Sequence, residues 1–153
     1  MARIKLKLWV KLFIDKNLIV IKGMIKFSYS IFYVNDVTKS IEFYEKAFGF
    51  SRKFVTPEND YGELATGETT LSFASVKLAN KNLKGGFMVN NNNHPPFGQE
   101  IGLTTNDVEK TVASAIEAGA HLVENPMTKP WGQVVAYVRD LDGFLLEICT
   151  PMN

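Results

Sequence analysis

Two glutamates, Glu100 and Glu147, are the strongest candidates for chemistry in this chain. Both stand on predicted strands at positions whose side chains we expect to point inward. Carboxylates rarely enter a protein interior unpaired, because removing their charge from water is costly. We therefore expect them to meet a metal ion or a cationic or hydrogen-bonding ligand, or to act as general acid and base. Two plainer explanations stay open: a site open to water, and pairing of Glu147 with Tyr29.

Aromatic and polar side chains could complete a binding site around these carboxylates. Tyr29 and Tyr33 alternate along one predicted strand and should point to the same side of a sheet. Trp131 stands at a strand entrance, where it could contact a planar or cationic ligand. Glu63 and Gln133 each follow a glycine at matching places and could orient a ligand, although a solvated strand explains them slightly better.

An internal repeat supplies the elements that must position these side chains. Residues 35–40 recur with similar sequence 71 positions later, as residues 106–111. Strand-like alternation precedes each copy, and apolar residues at helical spacing follow it. Asp36 and Asp107 are natural N-caps, because their side chains can accept from free amides of the first helical turn. Each half therefore starts with a strand that leads into a helix.

Three further strands are predicted in each half. Gly49 and Gly119 should end the two helices, since glycine adopts the left-handed conformation easily. The strands that follow are predicted at residues 51–56, 61–66, 70–75, 121–128, 133–139 and 144–150. Two such modules, residues 25–76 and 97–151, form one domain of α+β class within residues 24–153. Residues 77–96 are rich in asparagine, glycine and proline, which predicts a partly mobile linker rather than a regular element.

Several of these segments resemble the vicinal oxygen chelate superfamily, which includes glyoxalase I, bleomycin-resistance proteins and extradiol dioxygenases. The resemblance lies in residues 33–37, 40–44 and 47–50, and in Val-Arg-Asp-Leu-Asp-Gly-Phe-Leu-Leu-Glu at 138–147. It implies paired βαβββ modules whose mixed sheets curl into a cup, a hollow that holds a small-molecule ligand. It also implies a homodimer, since dimerisation commonly completes the cup in relatives.

The resemblance also bears on metal binding. Metal-dependent members of the superfamily place one ligand on the first and one on the last strand of each module, usually two histidines and two glutamates. The matching positions here are Tyr29, Ser72, Glu100 and Glu147, and only Glu147 is of the common ligand type. Zn²⁺ prefers about three or more imidazole, thiolate or carboxylate donors. Any bound cation is therefore better predicted as Mg²⁺ or Mn²⁺ than as Zn²⁺.

Composition indicates an ordinary globular protein. The chain has 153 residues, of which 46% are hydrophobic and 22% charged. Cys149, the only cysteine, is expected in the core, and its isolation fits a cytoplasmic protein. Residues 1–23 carry six basic residues against one acidic and are expected to be an extension, neither a signal peptide nor a membrane span. The rest has a net charge near −4, which gives no reason to expect nucleic acid binding.

Two functions remain open for this sequence. No phosphate-cradling glycine loop, CxxC pair or Ser/His/Asp arrangement occurs in it. The first function, which we favour, is binding of a small organic molecule in an aromatic, acidic cup without turnover, like the bleomycin-resistance branch. The second is a lyase, isomerase or dioxygenase of the lactoylglutathione-lyase type, in which Glu147 and Glu100 hold a divalent cation or act as acid and base. A pure interaction module would leave the cup unexplained.

Overall fold

The structure is a computed structural model that describes residues 25–152. The basic extension expected at residues 1–23 lies outside the described residues. The elements are, in chain order, β1 (Tyr29–Val34), α1 (Val37–Phe48), β2 (Ser51–Val55), β3 (Tyr61–Ala65), β4 (Thr70–Ser75), α2 (Val76–Asn82), β5 (Glu100–Thr104), α3 (Val108–Glu117), β6 (His121–Thr128), β7 (Val134–Arg139) and β8 (Leu145–Cys149). The six strands with predicted bounds begin and end within one residue of their predicted limits.

The strands form two open four-stranded sheets, in the orders β1-β4-β3-β2 and β5-β8-β7-β6. In each sheet the first strand of the module runs parallel to its last strand, and the other neighbours are antiparallel. This is the βαβββ unit twice, so the predicted α+β class is confirmed. No helix within residues 25–152 is long and apolar enough to cross a membrane.

Local capping explains where the two long helices begin and end. The side chain of Asp36 accepts a hydrogen bond from the backbone N–H of Lys39 at 3.1 Å. Asp107 does the same for the N–H of Lys110 at 3.0 Å. Gly49 ends α1 with a φ of +71°, in the left-handed region that a glycine tolerates without steric cost. Both predicted N-caps are confirmed, and each stabilises its helix by about 1 kcal/mol.

One continuous hydrophobic core joins the two modules. It lies between each sheet and its long helix, and α1 and α3 also contact each other. Phe32 and Phe73 are fully buried in this core. The ring of Phe32 also stacks on that of Phe144 from the other module, with centroids 3.9 Å apart. Burial of each such side chain contributes roughly 1.5–3 kcal/mol to folding.

The opposite face of each sheet is not covered by a helix, and we call it the open face. Along β1, Phe32 and Val34 point into the core, whereas Tyr29, Ile31 and Tyr33 point to the open face. Burial alternates in the same way along β3 and β5, whereas β2 and β6 are exposed along most of their length. The two sheets therefore each present one face on which side chains are available for binding.

The turn between β7 and β8 contacts the start of α1 through a buried carboxylate. Asp142 accepts hydrogen bonds from the Asn35 backbone N–H at 3.0 Å and from the Asn35 side-chain amide at 3.1 Å. It also accepts from the Ser40 hydroxyl at 2.8 Å. Asn35 and Ser40 belong to the first module and Asp142 to the second. These bonds replace the water that the carboxylate loses on burial.

A second carboxylate of this turn, Asp140, is buried more deeply. It accepts from the Tyr44 hydroxyl at 2.8 Å and from the backbone N–H groups of Asp142 and Phe144 at 3.0 and 2.8 Å. Burial raises the pKa of Asp140 to about 6, against the opposing effects of these hydrogen bonds. Burial also raises the pKa of Tyr44, and the negative charge of Asp140 adds to this effect.

The predicted linker, residues 77–96, begins with most of a helix, although its composition favoured a mobile connection over a regular element. Residues Val76–Asn82 form α2, so the prediction of no regular element was wrong for that part. Ser75 caps this helix by accepting from the N–H of Leu78 at 3.1 Å. Ala79 is buried, and α2 contacts β4 and β1. Packing on the sheet thus stabilises a helix whose composition alone does not favour one.

Replacement of Asp140 by asparagine should flatten the pH dependence of stability. The pKa of the Asp140 carboxyl is about 6 in the folded state, against an ordinary value of 3.8. Between these values the folded protein therefore binds more protons than the unfolded chain. The free energy of unfolding therefore falls as pH rises from about 4 to about 6, by up to about 3 kcal/mol. An asparagine side chain cannot titrate, so the wild-type and Asp140→Asn curves from urea denaturation should diverge across this range.

The control for this experiment is Glu58→Gln, which removes one charge from an exposed position. Its stability should follow the wild-type curve. Parallel curves for wild type and Asp140→Asn would contradict the burial of an ionisable Asp140.

Candidate functional site

The strand register places the candidate residues on the open faces. In the first sheet, Ser72 on β4 lies between Ile31 on β1 and Glu63 on β3. In the second sheet, Glu147 on β8 lies between Gly102 on β5 and Tyr137 on β7. Ser72 and Glu147 thus hold the same place in their two sheets. Tyr29 and Glu100 stand two residues before the strand-one neighbours of these positions, also on the open faces.

A tyrosine–glutamate pair forms the centre of the second open face. The Tyr137 hydroxyl donates to Oε2 of Glu147 at 2.7 Å, and Glu147 is half-buried. This hydrogen bond, with burial and the nearby charges of Glu147 and Glu100, raises the pKa of Tyr137 to about 12. Glu100 lies on the same face as Glu147 but is exposed, whereas the sequence led us to expect a carboxylate removed from water. Neither glutamate forms an ion pair within residues 25–152.

The first open face has a related arrangement. The Tyr61 hydroxyl donates to Oε1 of Glu63 at 2.8 Å, and Nζ of Lys53 lies 3.7 Å from Oε2. Burial raises the pKa of Tyr61; the Glu63 carboxylate adds to this, and nearby Ser72 partly offsets it. Ser72 is fully buried, yet its hydroxyl makes no hydrogen bond of acceptable geometry among the described residues. A buried hydroxyl without a well-aligned partner is unfavourable, and the Tyr61 hydroxyl is the polar group beside it.

The tyrosine that meets Glu147 is Tyr137, so the alternative pairing with Tyr29 was wrong. Tyr29 belongs to the other sheet and is 54% exposed. Tyr137 was not predicted as a site residue, because the two modules were matched by the glycines that precede Glu63 and Gln133. Alternation along residues 133–139 and an antiparallel pairing with the last strand would have placed Tyr137 opposite Glu147.

Gln133 and Trp131 lie away from this pair, at the entrance to β7. The Trp131 indole N–H donates to Oε1 of Gln133 at 2.8 Å, and the Gln133 amide donates to the Thr150 carbonyl at 2.6 Å. Gln133 is therefore not the counterpart of Glu63, because the second hairpin is longer and the register gives that place to Tyr137. Trp131 is 65% exposed and remains a candidate for a contact at the edge of a site.

The residues at the superfamily ligand positions do not fit the usual metal centre. Within residues 25–152, no three His, Cys, Asp or Glu side chains are grouped so that they could hold one metal ion. A tyrosine, a serine and two glutamates also lack the imidazole or thiolate donors that Zn²⁺ prefers. The open faces therefore offer hydrogen-bonding and acidic groups rather than a ready set of metal ligands.

Comparison with known proteins places this geometry in context. A model of the Glyoxalase/Bleomycin resistance protein/Dioxygenase superfamily matches residues 26–148. A lactoylglutathione lyase from Arabidopsis thaliana is 30% identical over 128 residues, which cover 80% of this chain and 43% of that protein. This chain thus spans less than half the length of that curated relative.

Solved structures show the same fold. A glyoxalase-related enzyme from Fulvimarina pelagi has a TM-score of 0.71 at 19% identity, covering 82% of this chain and 88% of that one. A hypothetical protein from S. aureus has a TM-score of 0.70 at 27% identity, covering 86% of this chain and 98% of that one. Both likenesses extend across the two modules.

Replacement of Glu147 by alanine should lower the pKa of Tyr137 from about 12 towards its ordinary value of 10. The variant loses both the acceptor and the negative charge that hold the phenolic proton. The measurement is the absorbance of tyrosinate during titration with base. The variant curve is subtracted from the wild-type curve to isolate the transition of Tyr137. The matched control, Glu63→Ala, removes the corresponding carboxylate from Tyr61 and should leave the Tyr137 transition in place. An unchanged titration in Glu147→Ala would contradict the pair.

Proposed function

Because this chain belongs to the Glyoxalase/Bleomycin resistance protein/Dioxygenase superfamily, we propose that it binds a small organic molecule on the open faces of its two sheets. The Tyr137–Glu147 pair is the observation that carries the proposal. It holds an acidic group, fixed by a neutral donor rather than by a cation, at a superfamily ligand position. Binding without a histidine-and-glutamate metal centre is supported by the tyrosine and serine at two of the four expected ligand positions.

The charges of the two open faces indicate the class of ligand. Glu100 and Glu147 meet no basic side chain within the described residues, so the second face attracts a cationic or hydrogen-bond-donating group. On the first face Lys53 offsets Glu63, so that face has less unpaired negative charge. A small molecule with a cationic end therefore matches the second face.

Exposed aromatic side chains at the edges support a ligand with a flat ring. Tyr29 is 54% exposed on the first open face and Trp131 is 65% exposed at the entrance to β7. Such rings stack on planar groups and attract cations. Tyr33, on the same strand as Tyr29, is half-buried and provides a third ring. An aromatic cation is therefore the simplest probe.

The second candidate function is that of a divalent-metal-dependent lyase related to the lactoylglutathione lyases. The 30% identity to the Arabidopsis thaliana protein favours it. In this case Glu147 and Glu100 would hold Mg²⁺ or Mn²⁺ together with water molecules. The donor set supports it less well than ligand binding, because the other two ligand positions carry a tyrosine and a serine.

We also propose that the chain forms a homodimer through its open faces. Tyr29, Ile31 and Met127 are large apolar side chains with 54%, 37% and 58% of their surface exposed in the single chain. A second copy would cover such surface and add residues to the site. The mass of one chain is 17.2 kDa, and sedimentation equilibrium should give twice that value. The Ile31→Lys variant should shift the equilibrium to the monomer. A wild-type monomer at all concentrations would refute the dimer.

Benzamidinium should raise the Tm of the protein, whereas neutral benzamide of the same shape should raise it less. The planar amidinium can donate two hydrogen bonds to Glu147, as an arginine does to a carboxylate. At about tenfold above Kd the shift should be roughly 3 °C or more, by mass action. Glu147→Gln should abolish the difference between the two compounds, and Glu58→Gln should not.

The same thermal-shift panel contains MgCl₂, MnCl₂ and ZnCl₂. Stabilisation by a metal alone, lost in Glu147→Gln, together with no response to benzamidinium, would overturn the binding proposal in favour of the metal-dependent lyase. Formation of lactoylglutathione by the metal-loaded protein would then be the assay.

A further inference from the structure

A cavity of about 250 Å³ lies where the two modules meet the segment that connects them. Four rings line it, together with two side-chain amides: Tyr33, Phe87, Phe97 and Phe144, with Asn90 and Gln99. The remaining lining residues are aliphatic or methionine, and no charged side chain is among them. An engineered cavity of about 150 Å³ already holds benzene, so this one has room for a bicyclic ring system.

The rings of the cavity are fixed by contacts with their neighbours. Tyr33 packs against Phe87 with centroids 4.7 Å apart, which ties the connecting segment to β1. Phe144 is stacked on Phe32, so one face of its ring is already occupied. Flat rings held in this way can stack on a planar ligand without first losing conformational freedom.

Arginine and asparagine hydrogen bonds hold the connecting segment in place. The Arg139 guanidinium donates to the carbonyls of Asn91 at 2.7 Å, His94 at 2.6 Å and Gly143 at 3.0 Å. The Asn92 amide donates to the carbonyl of Asp140 at 3.1 Å. Arg139 thus directs its charge to backbone carbonyls, and the wall of the cavity is built before any ligand arrives.

The Asn90 amide is the one strongly buried polar side chain among the lining residues. Asn90 is 7% exposed, and its Oδ1 atom has no hydrogen-bond partner among the described residues. An amide oxygen removed from water without a partner is unfavourable, and such atoms are uncommon in folded proteins. Asn90 lines the cavity, so a rotation of its side chain that turns Oδ1 towards the cavity would let a ligand N–H or O–H satisfy it.

We propose that this cavity binds a flat, uncharged aromatic group that carries a hydrogen-bond donor, and that Asn90 Oδ1 accepts from that donor. The rings favour a flat ligand, and the absence of charged lining residues favours an uncharged one. The Asn90 amide oxygen favours a ligand with an N–H or O–H group at its edge.

This inference rests on the proposed function and adds a binding site for a second part of the same ligand. Leu145 lines the cavity and stands two residues before Glu147 on the same face of β8. Ile31, which also lines the cavity, pairs with Ser72 in register. The cavity therefore adjoins both open faces, and it would take the flat uncharged part of a molecule whose cationic end meets Glu147.

The test compares two probes of nearly equal shape, indole and 1-benzofuran, in which a ring oxygen replaces the N–H. NMR titration of the full chain should show indole binding roughly tenfold more tightly, the effect of one hydrogen bond to a buried acceptor. Asn90→Leu should bring the two affinities together by weakening indole binding alone. Asn93→Leu alters an exposed asparagine of the same segment and should keep the tenfold preference.

Two results would overturn the proposal: equal affinities for the two probes in the wild type, or indole-induced shifts confined to residues away from Tyr33, Phe97 and Asn90. The wild-type comparison stands even if Asn90→Leu does not fold. Glu147→Gln should retain the preference for indole, because Glu147 does not line the cavity. An indole preference without benzamidinium binding refutes the proposed function alone, and benzamidinium binding without an indole preference refutes the cavity site alone.

Discussion

Two buried carboxylates constrain how the modules of this protein meet. Asp140 and Asp142 each accept hydrogen bonds from the other module, Asp140 from Tyr44 and Asp142 from Asn35 and Ser40. If the modules separated, both carboxylates would return to water and the donors would lose their partners. The cost of a misplaced buried charge is several kcal/mol, so this contact permits one docking arrangement and excludes nearby ones.

The positions of the cavity and of the second open face depend on that contact. The β7–β8 turn leads directly into Phe144 and Leu145, which line the cavity, and then into Glu147 on the open face. Arg139, on the other side of the turn, holds the connecting segment through backbone carbonyls. Gly143 allows this approach, because a Cβ atom there would lie 2.6 Å from the Asn91 backbone, and its φ of +90° favours glycine. Module docking, the wall of the cavity and the site for Glu147 are thus parts of one assembly.

The superfamily fold is retained here, and the open faces carry tyrosine, serine and glutamate side chains. A sheet supplies a fixed face whatever residues alternate on it, so one scaffold can carry different groups of side chains. Where a metal would hold several groups together, this chain has two separate tyrosine–glutamate pairs, Tyr61–Glu63 and Tyr137–Glu147. Each pair fixes an acidic oxygen without a cation. This arrangement is the basis for proposing ligand recognition over metal-dependent catalysis.

Much of this fold could be predicted from the sequence, and less of the site. A helix cap, a glycine at a helix end and the alternation of a strand each depend on residues only a few positions apart. The local sequence was therefore enough to predict the N-caps Asp36 and Asp107 and the bounds of the strands. The repeat then indicated the fold class, because equal patterns fold into equal modules. Register and long-range partners were decided only by the tertiary structure. The pairing of Tyr137 with Glu147 depends on hairpin length, and alignment of the repeats by glycines misjudged it.

Burial was likewise decided by packing between elements. The helix α2 forms because Ala79 packs on a sheet, and the exposure of Glu100 depends on which edge its strand occupies. The unpartnered amide of Asn90 arises from segments far apart in the chain. Local sequence specifies elements, whereas burial and partners depend on packing between elements, which no short pattern contains.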